Sequence, residues 1–99
     1  MIRYQIAISP YVATQTIHLP PAVKRDAKHA LRVLADAPHA GEPLRWELEG
    51  LWKYRIRSFR IVYQIVAPRR LLQVMAIGHR DTVYDFVRMI YRRVPGTRT

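Results

Sequence analysis

The segment from residue 50 to residue 63, GLWKYRIRSFRIVY, says most about the architecture of this chain. Its first half alternates apolar and basic side chains: Trp52, Tyr54 and Ile56 against Lys53, Arg55 and Arg57. Successive strand side chains point to opposite faces, so the alternation predicts a half-buried strand over residues 52–57. Residues 60–67 are rich in β-branched and aromatic side chains, which favour a second strand. The short joint between them predicts an antiparallel hairpin.

The segments that follow extend this hairpin. Residues 71–77 form another strand-like run after the short joint 68–70, which predicts an antiparallel meander. A helix is then expected from about Thr82 to Arg92. Its apolar stripe consists of Val83, Phe86, Val87, Ile90 and Tyr91.

The N-terminal half is expected to contribute one strand and two helices. Residues 2–9 alternate as a strand does, and Pro10 ends it. A short helix over 11–18 and an amphipathic helix from Pro20-Pro21 to about Asp36 follow, then a loop over 37–43. The resulting order is β-α-α-β-β-β-α. We therefore expect an α+β fold, an antiparallel sheet with two N-terminal helices and a short C-terminal helix on one of its faces.

Length and composition favour a small single domain spanning residues 1–99. The chain has no cysteine, which excludes disulfides and thiolate chemistry and is consistent with a cytoplasmic protein. No apolar run is long enough for a signal peptide or a membrane span. The tail from Pro95 to Thr99 is the one part expected to be disordered.

Basic residues are concentrated in the second half of the chain. The net charge is +10; residues 1–52 hold six Lys/Arg and five Asp/Glu, whereas residues 53–99 hold eleven and two. Such a surface favours a polyanionic partner, namely RNA, DNA, an acidic protein or an anionic membrane. The alternative is a solvated basic face that serves only solubility.

The hairpin is expected to gather these cations on one surface. Lys53, Arg55 and Arg57 share a strand face, Arg60 lies across the turn from Arg57, and Arg80 follows the last strand. Close cations repel one another unless an anion neutralises them. Because the guanidinium fork matches phosphate oxygens, this cluster predicts a phosphate-binding site.

Candidates for proton transfer follow the last strand. His79 has the usual acid–base side chain, and Tyr84 could act as a base only if nearby cations lowered its pKa. Taken alone, each is explained equally well as a turn histidine or a packed aromatic residue. The other histidines lack metal-ligand spacing and no phosphate loop is present, so neither a metal nor a cofactor is expected.

Together these motifs resemble the RelE/ParE superfamily of toxins from type II toxin–antitoxin systems, on its RelE-like side. Leu48-Glu49-Gly50 resembles the start of the family's central hairpin, and residues 59–63, FRIVY, its second strand. Residues 77–80, IGHR, with Tyr84 resemble its terminal motif. The resemblance covers roughly residues 40–85 and implies the same fold.

The resemblance also implies an activity and roles for the residues. RelE-like toxins are ribosome-dependent mRNA endoribonucleases that need no metal; the 2′-OH of the RNA attacks the adjacent phosphate, translation stops and growth arrests. On this basis Lys53 and Arg55, with Arg57, would bind RNA phosphate. Arg60 would stabilise the transition state, Arg80 would support or protonate the leaving oxygen, and Tyr84 would orient the base or accept the 2′-OH proton.

Two departures and two alternatives remain. Arg57-Ser58 stands where many relatives have Gly-Asp, and His79 is an imidazole that not every relative has. ParE-like members share the hairpin yet poison DNA gyrase without cutting RNA. A basic nucleic-acid-binding module without catalysis is the third interpretation.

The partners that the resemblance implies are a cognate acidic antitoxin, which would form a hetero-oligomer with this chain, and mRNA on the ribosome. Contacts to 16S rRNA are expected and contacts to a membrane are not.

Overall fold

The computed structural model describes residues 3–91. Its strands are β1 (Gln5–Ile8), β2 (Glu42–Pro43), β3 (Trp52–Ile56), β4 (Phe59–Val66) and β5 (Leu71–His79), and its helices are α1 (Pro10–Ile17), α2 (Pro21–Asp36) and α3 (Val83–Ile90). Short 3₁₀ turns occupy Pro38–Ala40, Trp46–Leu48 and Ala67–Arg69. The expectations for Ile2, Arg92 and the tail 95–99 lie outside the described residues.

The strands form one sheet in the order β1-β5-β4-β3-β2. The meander β3-β4-β5 is antiparallel as expected, and β2 adds to its edge beside β3. β1 lies parallel to β5, with Gln5 opposite Leu71. The α+β class and element order are thus confirmed. The loop expected over 37–43 was wrong in one detail, because it contains the two-residue strand β2.

The two N-terminal helices begin where the sequence indicates. The Ser9 hydroxyl accepts a hydrogen bond from the Val12 backbone N–H and so caps α1, whose first residue is Pro10. α2 also begins with a proline and buries one stripe of its surface, formed by Val23, Ala27, Ala30, Leu34 and Ala35. None of the helices within residues 3–91 is long and apolar enough to cross a membrane.

Each face of the sheet packs against different helices. The α1/α2 face buries Ile61 and Tyr63 of β4 against α1 and α2. The α3 face buries the alternate residue Val62 against Val83 and Val87 of α3. The expectation that all helices lie on one face was wrong, because side chains alternate along β4 and both faces of this central strand are apolar. α3 therefore covers the face that also carries Lys53 and Arg55.

Candidate phosphate-binding site

The β3–β4 hairpin brings two arginines directly together. Arg55 and Arg60 are cross-strand partners, and Gly78 of β5 lies on the other side of Arg60. Like charges in directly opposed positions destabilise a sheet. Arg55 is exposed and forms no ion pair with any described residue. The pair is thus a site where bound negative charge would relieve repulsion.

Arg60 is held rigidly in this pair. It is only 9% exposed, and its Nη1 donates hydrogen bonds to the backbone oxygens of Phe59 at 2.8 Å and Arg57 at 3.2 Å. These two bonds fix the plane of the guanidinium while leaving its other nitrogens free to donate. A buried, fixed cation of this kind is preorganised to stabilise charge on an oxyanion.

The next cross-strand pair joins a cation to the carboxylate of the site. Lys53 faces Glu42 of β2, and the Lys53 Nζ lies 3.6 Å from the Glu42 Oε1. Both residues line a cleft of about 210 Å³ with Gly41, Tyr54, Arg55 and Arg60. Sequence reasoning missed Glu42, since nothing in a two-residue strand with a proline marks its register. The cleft therefore combines three cations with one carboxylate.

The loop before β2 fixes the position of Glu42. A Cβ added at Gly41 would collide with the Lys53 backbone oxygen and the Tyr63 hydroxyl, so only glycine permits this approach. The Tyr63 hydroxyl donates a 2.7 Å hydrogen bond to the Pro38 backbone oxygen. One buried tyrosine thus ties residues 38–41 to the sheet and sets β2 beside β3.

Tyr84 approaches the same cations from α3. Its hydroxyl is buried and forms no well-shaped hydrogen bond within residues 3–91, even with the neighbouring Arg60. Burial raises the pKa of Tyr84, and this outweighs the lowering by Arg60 and Arg55; the Glu42 carboxylate raises it further. Tyr84 was expected to act as a base only if nearby cations lowered its pKa, and the net change is a rise. At neutral pH, Tyr84 is a phenol that can donate a proton in a hydrogen bond.

Arg57 is not part of this cluster. It lies in the hairpin turn with φ +54°, a conformation that favours glycine, and its Nε forms a 2.6 Å ion pair with Asp26 of α2. The expectation that Arg57 shares a strand face with Lys53 and Arg55 was wrong, because β3 ends at Ile56. Its side chain reaches towards α2 instead.

His79 and Arg80 sit at the end of β5 and differ in orientation. His79 is the cross-strand partner of Phe59 and packs edge-on against its ring at 5.4 Å, on the face opposite to Arg60. Its Nδ1 accepts a hydrogen bond from the Asp81 backbone N–H. The Arg80 backbone N–H donates to the Ser58 oxygen beside the hairpin turn, and its guanidinium is 59% exposed. The structure thus groups Lys53, Arg55, Arg60 and Tyr84, with Arg80 nearer the turn and His79 apart.

The chemistry of this cleft suits a phosphodiester. Guanidinium and ammonium groups bind phosphate oxygens, a carboxylate can accept a proton, and a neutral phenol can donate a hydrogen bond. Among residues 3–91 no three His, Asp or Glu side chains cluster as metal ligands would.

A family model described as the ParE toxin of type II toxin-antitoxin system, parDE, matches residues 6–84. A RelE-like toxin protein of Escherichia coli is 24% identical over 82 residues, which cover 81% of this chain and 86% of that protein. The family match therefore runs from β1 to the start of α3.

Solved structures share the fold. The RelBE2 toxin–antitoxin complex of Mycobacterium tuberculosis contains a chain that matches with a TM-score of 0.73 and 24% identity, covering 81% of this chain and 94% of that one. A doubly substituted mutant of Escherichia coli RelE in the free state matches with a TM-score of 0.73 and 19% identity over 90% of this chain and 96% of that one. A YoeB/ParE toxin from Agrobacterium tumefaciens matches with a TM-score of 0.66 and 18% identity over 76% and 96%.

Proposed function

The chain belongs to the ParE toxin family of type II toxin–antitoxin systems, within the RelE/ParE superfamily, and from that premise we propose that it is a ribosome-dependent mRNA endoribonuclease. The observation that carries the proposal is the directly opposed pair Arg55–Arg60 in the cleft, with the buried Tyr84 hydroxyl beside Arg60. Like charges at opposed sheet positions repel one another. A phosphoryl group would give the two guanidinium groups a shared counter-charge.

The proposed reaction is an internal displacement at phosphorus. The 2′-OH of one nucleotide attacks the adjacent phosphate, a new P–O2′ bond forms and the P–O5′ bond breaks. The products are a 2′,3′-cyclic phosphate and a free 5′-OH. Negative charge grows on the phosphate oxygens, where the Arg60 guanidinium is fixed and Lys53 and Arg55 lie close by.

Glu42 is the group best suited to take the 2′-OH proton. It is the sole carboxylate among the described residues that line the cleft. Tyr84 is unsuited to that role because burial keeps it protonated, and we assign it to hydrogen bonding with a phosphate oxygen or the attacking ribose. His79 is turned to the other face and is left out of the proton transfer.

Arg80 is assigned to the leaving side of the displacement. Its guanidinium is exposed beside the hairpin turn and its nearest acid, Asp81, is 4.0 Å away, so it can reorient towards bound RNA. There it supports charge on the departing O5′, which takes a proton from the arginine or from water. The cations of the cleft replace the charge that a divalent metal supplies in other nucleases, and the proposal requires no cofactor.

A cognate antitoxin is the proposed protein partner. The RelBE2 relative is a toxin–antitoxin complex, and this chain offers an apolar surface of its own where Tyr11 stacks on Phe86 at 5.3 Å. Ile8, Tyr11 and Ile90 are exposed there. An amphipathic antitoxin segment with acidic residues would cover this surface and neutralise the neighbouring basic one. We place the toxin in the cytoplasm, where it meets its mRNA on the ribosome and contacts 16S rRNA.

The test is to map mRNA ends by primer extension after induction from a tight promoter. We expect cuts in phase with codons for the unmodified chain and for Arg57→Ala, whose side chain lies outside the cleft, and none for Arg60→Ala. Growth arrest with intact mRNA, together with inhibition of DNA supercoiling by the pure protein, would instead establish the gyrase-directed alternative. Absence of both effects would leave a basic binding module.

A further inference from the structure

Trp46 is the most exposed large hydrophobic residue in the described part of the chain. It is 82% exposed, whereas Trp52, the other tryptophan, packs on Tyr63 and His39. An indole of this size normally finds cover in a small protein, since it contributes a large apolar area. Its exposure therefore indicates that the Trp46 side chain contacts a binding partner.

The backbone at Trp46 is held in an unfavourable conformation. Its φ is +60°, in the left-handed region that favours glycine and is costly for a bulky side chain. Glycine at this position would satisfy the turn without strain. A tryptophan that is both strained and exposed contributes nothing to folding here, which is consistent with a binding role for the ring.

The groove beside Trp46 runs towards the phosphate cleft. Besides Trp46 it is lined by Pro43, Leu44, Arg45, Glu49, Gly50, Leu51 and Trp52. Pro43 and Trp52 are bonded along the chain to Glu42 and Lys53, which line the cleft, so the groove and the cleft adjoin. A single RNA strand held at the cleft can therefore place a nearby base over the indole.

The charges around the groove favour a nucleotide over a basic peptide. Arg45 is exposed beside Trp46, and the one carboxylate in the groove lining, Glu49, has an interaction of its own within the described part of the chain. The flanking carboxylates are paired, Glu42 with Lys53 and Glu47 with Arg88. An aromatic face next to cations is the combination that single-stranded nucleic acids bind. We propose that Trp46 is a stacking platform for an unpaired RNA base close to the scissile phosphate. This inference rests on the proposed function, because it takes RNA as the substrate of the cleft.

The test uses the full chain and a fluorescein-labelled RNA octamer that is 2′-O-methylated and so cannot be cleaved. Binding is measured by anisotropy at low salt, and tryptophan fluorescence is recorded in parallel. We expect Trp46→Leu and Trp46→Gly to weaken binding roughly tenfold and Trp46→Phe to retain most of the affinity. RNA should quench the fluorescence of the unmodified chain more strongly than that of Trp46→Phe, which retains only the partly buried Trp52. Ile17→Ala, another exposed apolar position, is the control and should bind as the unmodified chain does.

Several outcomes would overturn the inference. They are no binding of the octamer by the unmodified chain, equal affinity for Trp46→Leu, or quenching in Trp46→Phe that is as strong as in the unmodified chain. Loss of antitoxin binding with unchanged RNA affinity would show that Trp46 docks a protein. Ring-dependent RNA binding without mRNA cleavage in cells would refute the proposed nuclease and leave the stacking site standing. Cleavage that proceeds normally in Trp46→Leu, with equal affinity, would refute the stacking site alone.

Discussion

The two faces of the sheet each bury a tyrosine hydroxyl, and the two hydroxyls differ in what they contact. On the α1/α2 face, Tyr63 is fully buried and donates to the Pro38 oxygen. On the α3 face, the Tyr84 hydroxyl is buried beside Arg60 without a well-formed hydrogen bond. Burial raises the pKa of both. The Tyr63 hydroxyl thus holds the Pro38 loop on the sheet, whereas the Tyr84 hydroxyl holds no described loop or strand in place.

This contrast extends to the arginines. Arg57 on the α1/α2 side has Asp26 as its partner, and Arg55 on the α3 side has none among residues 3–91. Polar groups that are buried or crowded without partners lower stability. Within residues 3–91, the buried Tyr84 hydroxyl and the opposed pair Arg55–Arg60 both lie on the α3 face, as expected if that face binds a ligand and the other maintains the fold.

The largest expected effect is that of Glu42→Gln. If the α3 face carries the chemistry, loss of the carboxylate removes the proton acceptor and should lower the cleavage rate by about 10²- to 10⁴-fold. Affinity for uncleavable RNA should stay the same or increase slightly, since one negative charge leaves a phosphate site. Single-turnover cleavage on programmed ribosomes, with binding measured alongside, checks this.

Asp26→Asn is the matched control for Glu42→Gln. It removes a carboxylate from the α1/α2 side and should leave cleavage unchanged. Full activity of Glu42→Gln, or equal losses in both variants, would contradict the division between the faces.

Stability should fall steeply at alkaline pH because of Tyr63. Burial raises its pKa from 10.0 to about 12, a rise that exceeds the lowering by the Gly41 backbone. Unfolding frees the phenol to ionise near its ordinary value. The contribution is therefore fully present below pH 10 and lost as the pH rises to 12, by about 2–3 kcal/mol in total. Urea denaturation at pH 9, 10 and 11 measures it, and Tyr63→Phe should show a shallower decline.

Exchanging each tyrosine for phenylalanine should give opposite results. Tyr63→Phe leaves the Pro38 oxygen unpaired and should cost about 1–2 kcal/mol of stability. Tyr84→Phe removes an orphaned hydroxyl, so stability should hold or rise while the cleavage rate falls. Thermal denaturation and the ribosomal cleavage assay together check both. A stability loss in Tyr84→Phe as large as that in Tyr63→Phe would mean that the two faces are alike.

The smallest expected difference separates two neighbouring arginines. If Arg55 contacts phosphate as proposed, Arg55→Ala should weaken RNA binding several-fold and flatten its dependence on salt. Arg57→Ala breaks an exposed ion pair and should cost about 0–1 kcal/mol of stability with unchanged affinity. Salt titrations of RNA binding distinguish the two variants. Identical slopes of log affinity against log salt concentration would mean that Arg55 and Arg57 contribute equally to phosphate binding.

Much of this architecture could be predicted from short-range patterns. Alternation over residues 52–57 and the apolar run of β4 fix the hairpin, and the prolines at 10 and 21 mark the helix starts. Pairings between distant segments leave no such pattern. The parallel contact of β1 with β5 and the position of Glu42 opposite Lys53 depend on the assembled sheet.

The candidate site was predictable to the extent that it lies on regular strands. Arg55 and Arg60 follow from hairpin register, whereas Arg57 was placed on the wrong strand face, because the turn begins one residue earlier than the alternation suggests. His79 follows Gly78 by one residue, and this single step directs it away from Arg60. The pKa direction of Tyr84 depends on its burial under α3, which composition cannot reveal.

The parallel pairing of β1 with β5 has a consequence for synthesis of the protein. β1 cannot pair with β5 until Leu72, the partner of Ile6, has been synthesised 66 residues later. Synthesis of those residues takes on the order of several seconds. Tyr84 emerges later still. The sheet of the nascent chain therefore stays incomplete until its last elements have been made. If the chain cleaves mRNA as proposed, this delay would give an antitoxin time to bind before the cleft is complete.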